Sequence, residues 1–202
     1  LLLRRTYSDL ALPGAIMDRA QEWLQGTDAK WHDKEKTWLF PSGASLSFGY
    51  LDGPRDHFRY QGSEFQFVGF DELTQFKESQ YLYLHSRLRR LQGSDIPIRM
   101  RAASNPGDIG HEWVKARFIT ESTKDPQSLF VPATLDDNPH LDRDTYIESL
   151  QKLDPITREQ LLGGNWDVRP EGGLFKRHWL ELVDTAPSAM PLCRYWDKAA
   201  TE

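Results

Sequence analysis

Apolar residues recur along the chain with two different spacings, and these spacings predict alternating strands and helices. Short apolar runs bounded by turn residues predict strands at residues 1–6, 37–40, 45–50, 64–70 and 98–103. Apolar residues three or four positions apart predict helices at residues 14–25, 75–91 and 142–162. The last helix is expected to break at Asp154-Pro155, because proline cannot continue a helix interior. Strands that alternate with helices favour an α/β fold with a largely parallel sheet.

The composition is that of a folded domain. The 202 residues are 39% hydrophobic and 27% charged, and no apolar run approaches the roughly 18 residues that a membrane span needs. A single cysteine, Cys193, excludes a disulfide framework. The net charge of -5 is uneven, since residues 81–120 hold seven Lys/Arg against three Asp/Glu while residues 121–202 hold nine against fifteen. The basic stretch leaves room for a local phosphate contact, whereas the acidic total argues against indiscriminate coating of nucleic acid.

An apolar strand that ends in two acids is the most informative stretch. Residues 64–70 run directly into Asp71 and Glu72. Ligands of an open parallel sheet bind beyond the carboxyl ends of its strands, where Asp71 is placed to hold Mg²⁺ and Glu72 to deprotonate an attacking water. A bound cation would also explain why two mutually repelling carboxylates stand together. Alternatively, the pair only begins the following helix, where negative charge is favourable.

Small polar residues follow the next predicted strand. Ser104 and Asn105 come directly after residues 98–103. If the two strands are neighbours, these residues lie beside Asp71 and Glu72, placed to hydrogen-bond the attacking water or a terminal phosphate. The alternative is a turn in which Ser-Asn-Pro serves geometry alone. The two motifs together favour the functional interpretation.

Three arginines fall on the helix that is predicted after the acidic pair, namely Arg87, Arg89 and Arg90. One of them is a candidate arginine finger, which would contact phosphates within the chain or in a neighbouring subunit. Contact with a DNA backbone is a second possibility, and a solvated helix face is a third. The sequence leaves all three open.

In order and spacing, these motifs resemble the large subunit of tailed-phage terminases, the motor that pumps DNA into a viral capsid. The resemblance covers nearly the whole chain. It rests on the stretches Leu3-Arg4-Arg5-Thr6-Tyr7-Ser8-Asp9-Leu10, Tyr60-Gln61-Gly62-Ser63-Glu64-Phe65, Gly69-Phe70-Asp71-Glu72-Leu73-Thr74, Ser86-Arg87-Leu88-Arg89, Ser104-Asn105-Pro106-Gly107, Gly110-His111 and Leu162-Gly163-Gly164-Asn165-Trp166-Asp167.

The resemblance implies a P-loop NTPase-like motor domain of the ASCE type, followed by an RNase H-like nuclease domain. We expect the carboxyl-terminal portion of the motor at residues 1–168, a linker at 169–190 and the first nuclease strand at 191–202. The resemblance makes Asp71 the magnesium ligand and Glu72 the base for ATP hydrolysis.

Further site assignments follow from the same resemblance. Ser104 and Asn105 would couple hydrolysis to movement. Asp197 would be the first Mg²⁺- or Mn²⁺-binding carboxylate of the nuclease. Independently of the resemblance, Arg87 or Arg89 is the candidate that would complete an ATPase site, within the chain or in a neighbouring subunit.

The resemblance also implies cofactors and partners. The cofactors are ATP and Mg²⁺, with Mg²⁺ or Mn²⁺ for the nuclease. The partners are double-stranded DNA, the portal ring of the procapsid, the small terminase subunit and further copies of the chain in a homo-oligomeric ring, with no membrane. The location is the cytoplasm of a bacterial host of the phage or prophage.

The chain departs from the family pattern in one respect. A phosphate-binding loop needs Gly-Lys-Ser/Thr, and none of the nine lysines follows a glycine. We expect that loop to precede Leu1 and both ends to be truncated, so that the chain alone neither hydrolyses ATP well nor cuts DNA. Two alternatives stay open: a non-catalytic docking or scaffold module of a packaging complex, and an unrelated magnesium-dependent hydrolase that uses Asp71 and Glu72.

Overall fold

Strands and helices alternate through the residues that the computed structural model describes, 1–90 and 92–168. The strands are β1 (Leu2–Arg4), β2 (Lys30–His32), β3 (Thr37–Leu39), β4 (Ser45–Tyr50), β5 (Phe67–Asp71) and β6 (Arg99–Ala103). The α-helices are α1 (Tyr7–Ala11), α2 (Ile16–Leu24), α3 (Glu78–His85), α4 (His111–Phe118), α5 (Arg143–Leu150) and α6 (Pro155–Gly163). Short 3₁₀ helices cover Asp56–Tyr60, Leu73–Gln75 and Leu135–Asp137. These residues belong to one compact unit, Leu1–Arg169.

The strands form one sheet in the order β2-β3-β4-β1-β5-β6. β4, β1, β5 and β6 run parallel, while β2 and β3 add antiparallel pairings at one edge. The predicted α/β fold with a largely parallel sheet is therefore confirmed. Phe70 pairs with Leu3 on one side and with Ala102 on the other, so β1, β5 and β6 end at the same edge of the sheet.

One face of the parallel strands carries the main core. Along β5, Val68 and Phe70 are buried while Phe67 on the other face is exposed, which is the alternation expected of a strand. Phe76 and Leu84, from the segment that includes α3, pack in the same cluster and are fully buried. Each such side chain contributes roughly 1.5–3 kcal/mol by leaving water. This core fixes β5 and the loop that follows it.

The helix predicted at residues 75–91 is shorter in the structure. α3 ends at His85, and Leu88 forms an isolated parallel bridge with Phe65. The main chain explains the difference, since Phe65 N–H donates to Arg87 O and Arg89 N–H donates to Phe65 O. The prediction that the arginines after the acidic pair lie on a helix is therefore wrong.

Other predicted elements are close to those observed. The break at Asp154-Pro155 is confirmed, because Asp154 caps α6 by accepting from the backbone of Ile156 and Thr157. Gly164 ends α6 in the left-handed conformation, with φ of 55°. β2, α1 and α4 were not predicted. None of the helices among the described residues is both long enough and apolar enough to span a membrane. The predicted linker and nuclease strand, with Asp197, lie outside the described residues.

Candidate functional site

Two acidic side chains mark the point where β5 ends. Asp71 is the last residue of the strand and its side chain is 33% exposed. Glu72 follows with φ of 55° and ψ of 62°, a left-handed conformation that costs a non-glycine residue roughly 1–2 kcal/mol. This conformation turns the chain sharply into the 3₁₀ helix Leu73–Gln75. Strained backbone of this kind concentrates at functional sites.

Arg4 faces Asp71 from the neighbouring strand. β1 and β5 are parallel and in register at Leu3 and Phe70, so the residues that follow them, Arg4 and Asp71, lie side by side. Nε of Arg4 lies 3.4 Å from Oδ2 of Asp71. Nε and Nη1 of Arg4 are shielded from solvent and make no hydrogen bond to any residue in 1–90 or 92–168. A positive charge therefore stands beside the acidic pair with part of its bonding capacity unused.

Burial raises the pKa of Glu72 above its ordinary value, and the negative charge of Asp71 raises it further. A hydrogen bond from the backbone of Asn105 and the charge of Arg4 act in the opposite direction without cancelling the rise. A carboxylate with increased proton affinity is suited to take a proton from water near neutral pH. The same contact places Asn105 directly beside Glu72.

The structure brings Ser104 and Asn105 to the same edge, as predicted. Asp71 pairs with Ala103 in the register of β5 and β6. The two polar loops, one beginning at Glu72 and the other at Ser104, therefore leave the sheet side by side. The Ser104 hydroxyl is engaged by Thr74, whose backbone N–H donates to Ser104 Oγ at 3.0 Å and whose Oγ1 lies 2.9 Å from it. Thr74 Oγ1 also donates to Asn105 O at 3.1 Å. Thr74, which sequence reasoning did not single out, therefore ties the two loops together.

The loop after Asn105 is anchored to the interior by His111. Gly107 N–H donates to Nδ1 of His111 at 2.9 Å, so Nδ1 is an acceptor and the ring proton is on Nε2. Nε2 in turn donates to Trp166 O at 3.1 Å, and the two rings stack with centroids 5.3 Å apart. Gly110 N–H closes the loop by donating to Thr74 O at 2.6 Å. A continuous series of hydrogen bonds thus joins the acidic edge to Trp166.

Arg87 and Arg89 do not reach the carboxylates within this chain. They flank Leu88, which is paired with Phe65 at the opposite end of β5, roughly 20 Å from Asp71 along an extended strand. The Arg87 guanidinium lies over the Tyr83 ring, and Arg89 donates to the carbonyls of residues 86 and 88. Within this chain the segment places neither arginine at the acidic edge, and a contact with phosphates in a neighbouring subunit stays a prediction.

The acidic edge remains open to a ligand. A cleft of about 290 Å³ runs along β5 and β6 and reaches Asp71, with Arg101 and Ala103 on its border. A larger cavity of about 500 Å³ is lined by residues such as Tyr50 and Phe65 and by neither carboxylate. The smaller cleft is the relevant one because Asp71 lines it.

The donor set fits magnesium bound together with a phosphate. Asp71 and Glu72 offer the hard carboxylate oxygens that Mg²⁺ prefers. Within the described part of the chain, no three His, Cys, Asp or Glu side chains gather into a metal-binding group. Mg²⁺ is commonly held by one or two carboxylates plus substrate phosphates, and buried guanidinium nitrogens beside Asp71 suit the phosphate.

The parallel sheet, its flanking helices and its acidic edge define an α/β protein of the P-loop NTPase-like class. The family model "Terminase large subunit, T4likevirus-type, N-terminal" matches residues 16–182. The chain belongs to this family of large terminase subunits. A comparison with curated proteins found no match.

The solved structures similar to this one include crystal forms of the large terminase from a thermophilic bacteriophage. One crystal form has a TM-score of 0.62 at 18% identity and covers 88% of this chain and 43% of its own. A second form in complex with ADP has a TM-score of 0.58 at 18% identity, over 82% and 40% of the two chains. The complex with ATP-gamma-S has a TM-score of 0.57 at 18% identity, over 82% and 38%. These likenesses show the shared fold, and the match spans about two fifths of the length of the thermophilic-phage terminase.

Proposed function

We propose that this chain forms part of a packaging motor that hydrolyses ATP to move double-stranded viral DNA into a procapsid. The observation that supports it most is the acidic pair at the carboxyl end of a buried parallel strand, with Asn105 beside Glu72. Membership of the large terminase family supports the same proposal, and the thermophilic-phage terminase has been solved with ADP and with ATP-gamma-S.

Each residue of the edge has a proposed task. Asp71 would hold Mg²⁺, which when bound neutralises phosphate charge. Glu72 would accept the proton of the attacking water, in keeping with its raised pKa. Asn105 and Ser104 would respond to the terminal phosphate through the loop that Thr74 holds. The phosphate-binding loop would come from a part of the packaging protein outside these 202 residues, since none of the lysines here follows a glycine.

The wider proposal includes a second activity and several partners. The complete protein would also cut the DNA concatemer with an RNase H-like nuclease domain, in which Asp197 binds Mg²⁺ or Mn²⁺. It would act in the host bacterial cytoplasm as a homo-oligomeric ring with the portal ring and the small terminase subunit. Arg87 or Arg89 would serve this ring only across a subunit boundary, because both lie far from the carboxylates of their own chain.

The test is Glu72→Gln in the complete packaging protein, with Glu64→Gln as the matched control. Glu64 is an exposed glutamate just before the opposite end of β5. ATP turnover should fall about 10²–10⁴-fold for Glu72→Gln, the usual worth of a general base, while nucleotide affinity and the control variant stay near wild type. Unchanged turnover would refute the role of Glu72, whereas a complete protein without any ATP turnover would favour the non-catalytic docking module.

The 202-residue chain gives a second measurement. On its own it should turn over ATP far below the roughly 1 per second of ordinary enzymes, because it has no Gly-Lys-Ser/Thr loop. Turnover at ordinary enzyme rates, abolished by Glu72→Gln, would instead identify a magnesium-dependent hydrolase that needs no such loop.

A further inference from the structure

Two adjacent arginines on β1 and just after it differ in how their charge is used. Arg5 has partners on one side of the strand, where Nη1 donates to the carbonyl of Leu51 and Nη2 lies 3.9 Å from Asp52. Arg4, on the other side, has Nε and Nη1 buried without a hydrogen-bond acceptor among residues 1–90 and 92–168. Its ion pair with Asp71, at 3.4 Å, therefore lacks a directed hydrogen bond.

A buried guanidinium in this condition points to a missing acceptor. An arginine stays charged inside proteins, and leaving its buried N–H groups unpaired costs stability. Arg101, which borders the cleft, is exposed, so its guanidinium is not cut off from solvent as the two Arg4 nitrogens are. Arg4 is the cation of this edge that gains most from an incoming anion.

We propose that Arg4 contacts an oxyanion at the carboxyl edge of the sheet: the terminal phosphate of a nucleotide, or the inorganic phosphate released from it. This inference rests on the proposed function. Arg4 stands beside Asp71, on the strand next to β5, and the planar guanidinium matches the oxygens of a phosphate group. Arg4 also offsets the repulsion that two carboxylates exert on a phosphate brought to the same place.

Binding measurements on the complete packaging protein test this contact. Isothermal titration in the presence of Mg²⁺ would compare ATP-gamma-S, ADP and inorganic phosphate for wild type, Arg4→Gln and Arg4→Lys. Arg4→Gln should weaken ATP-gamma-S and phosphate about 10–100-fold, the worth of a hydrogen bond to a charged group, and leave ADP unchanged because ADP lacks the terminal phosphate. Arg4→Lys should recover part of the affinity, because lysine restores the positive charge but lacks the paired N–H donors of the planar guanidinium.

Arg5→Gln is the matched control. It should leave all three affinities unchanged and lower the unfolding temperature, because it removes the anchor of residues 51 and 52. Arg4→Gln should lower the unfolding temperature less than Arg5→Gln, because two of the Arg4 nitrogens make no hydrogen bond to the described residues. A larger loss of stability for Arg4→Gln would assign Arg4 to the fold and overturn the inference.

The outcomes separate this inference from the proposed function. Unchanged phosphate and ATP-gamma-S affinity in Arg4→Gln refutes the contact, even if Glu72→Gln abolishes turnover. An equal loss for ADP also refutes it, because the contact would then lie elsewhere on the nucleotide. If phosphate affinity depends on Arg4 while Glu72→Gln leaves ATP turnover unchanged, the Arg4 contact stands and the proposed role of Glu72 is refuted.

Discussion

The hydroxyl of Ser104 holds the two loops of the acidic edge together, and its removal has a predictable cost. The backbone N–H of Thr74, a residue only 3% exposed, donates to Ser104 Oγ at 3.0 Å. Ser104→Ala strands that buried donor, and an unsatisfied buried group costs about 1–3 kcal/mol. The Thr74 hydroxyl keeps an acceptor in Asn105 O, so its own bond adds little to the loss. We expect a destabilisation of about 2 kcal/mol.

Two variants make this value interpretable. Thr74→Val removes the hydroxyl and keeps the backbone donor, so a double-mutant cycle with Ser104→Ala isolates the bond between the two hydroxyls, expected at about 1 kcal/mol. Ser47→Ala is the matched control, because Ser47 shares a similar hydroxyl pair with Thr37 at 2.9 Å. Ser47→Ala is expected to lower the free energy of unfolding by at most about 1 kcal/mol. The bond it loses joins two side chains, so no buried backbone donor is left without an acceptor.

Denaturant unfolding of the 202-residue chain, followed by tryptophan fluorescence and by circular dichroism, measures these differences. A loss of about 2 kcal/mol corresponds to an unfolding temperature roughly 4–8 °C lower for a chain of this size. If Ser104→Ala costs no more than Ser47→Ala, the Thr74 donor has another acceptor, and the Ser104 hydroxyl does not hold the two loops together.

Three further predictions concern the same region. Gly110→Ala should lower the free energy of unfolding by about 1–3 kcal/mol, because the new Cβ would lie 2.6 and 2.7 Å from two main-chain oxygens. Gly163→Ala is the control, because open space surrounds Gly163 and no such loss is expected. Urea unfolding of the two variants measures the difference. In metal-free buffer, the native state holds the Glu72 proton more tightly than the unfolded state, so its contribution to stability is lost as pH rises above the ordinary pKa of 4.5. Glu72→Gln should therefore be more stable than wild type at pH 7 and equally stable below pH 4.5. A variant that is less stable than wild type at pH 7 contradicts this prediction. His111→Phe keeps the ring stack and removes two hydrogen bonds, so hydrogen exchange at the Gly107 amide should accelerate, and unchanged protection would contradict the assigned bond.

The adjacency of the two polar loops could be predicted from sequence because it follows from a general rule. Parallel strands end at one edge, so Asp71 and Ser104 had to meet once their strands were neighbours. The contributions of Arg4 and Thr74 could not be predicted in the same way. Arg4 meets Asp71 across a non-local strand pairing, and nothing in the sequence near residue 4 indicates which strand lies next to it.

The end of α3 was mispredicted for a related reason. Leu84 and Leu88 are four residues apart and both are buried, so the sequence reads as one helix face. In the structure Leu88 reaches the same core from an extended segment that pairs with Phe65. Tertiary pairing therefore overrode helical periodicity, and it carried Arg87 and Arg89 away from the carboxylates. For α4, the spacing of Val114 and Phe118 after Gly110 was a usable helix signal.

The hydrogen bonds around Thr74 offer a route by which ATP hydrolysis would move residues outside the site. Glu72 is two residues from Thr74, and Thr74 holds the Ser104 loop by three bonds of 3.1 Å or shorter. That loop is fixed through Gly107 and His111 to the carbonyl of Trp166. A shift of the loop cannot preserve all of these directional bonds, so either Trp166 moves with it or the bond at His111 breaks. Because the two cases differ in the protection of the Gly107 amide, hydrogen exchange with ADP and with ATP-gamma-S bound to the complete protein distinguishes a transmitted movement from a local one.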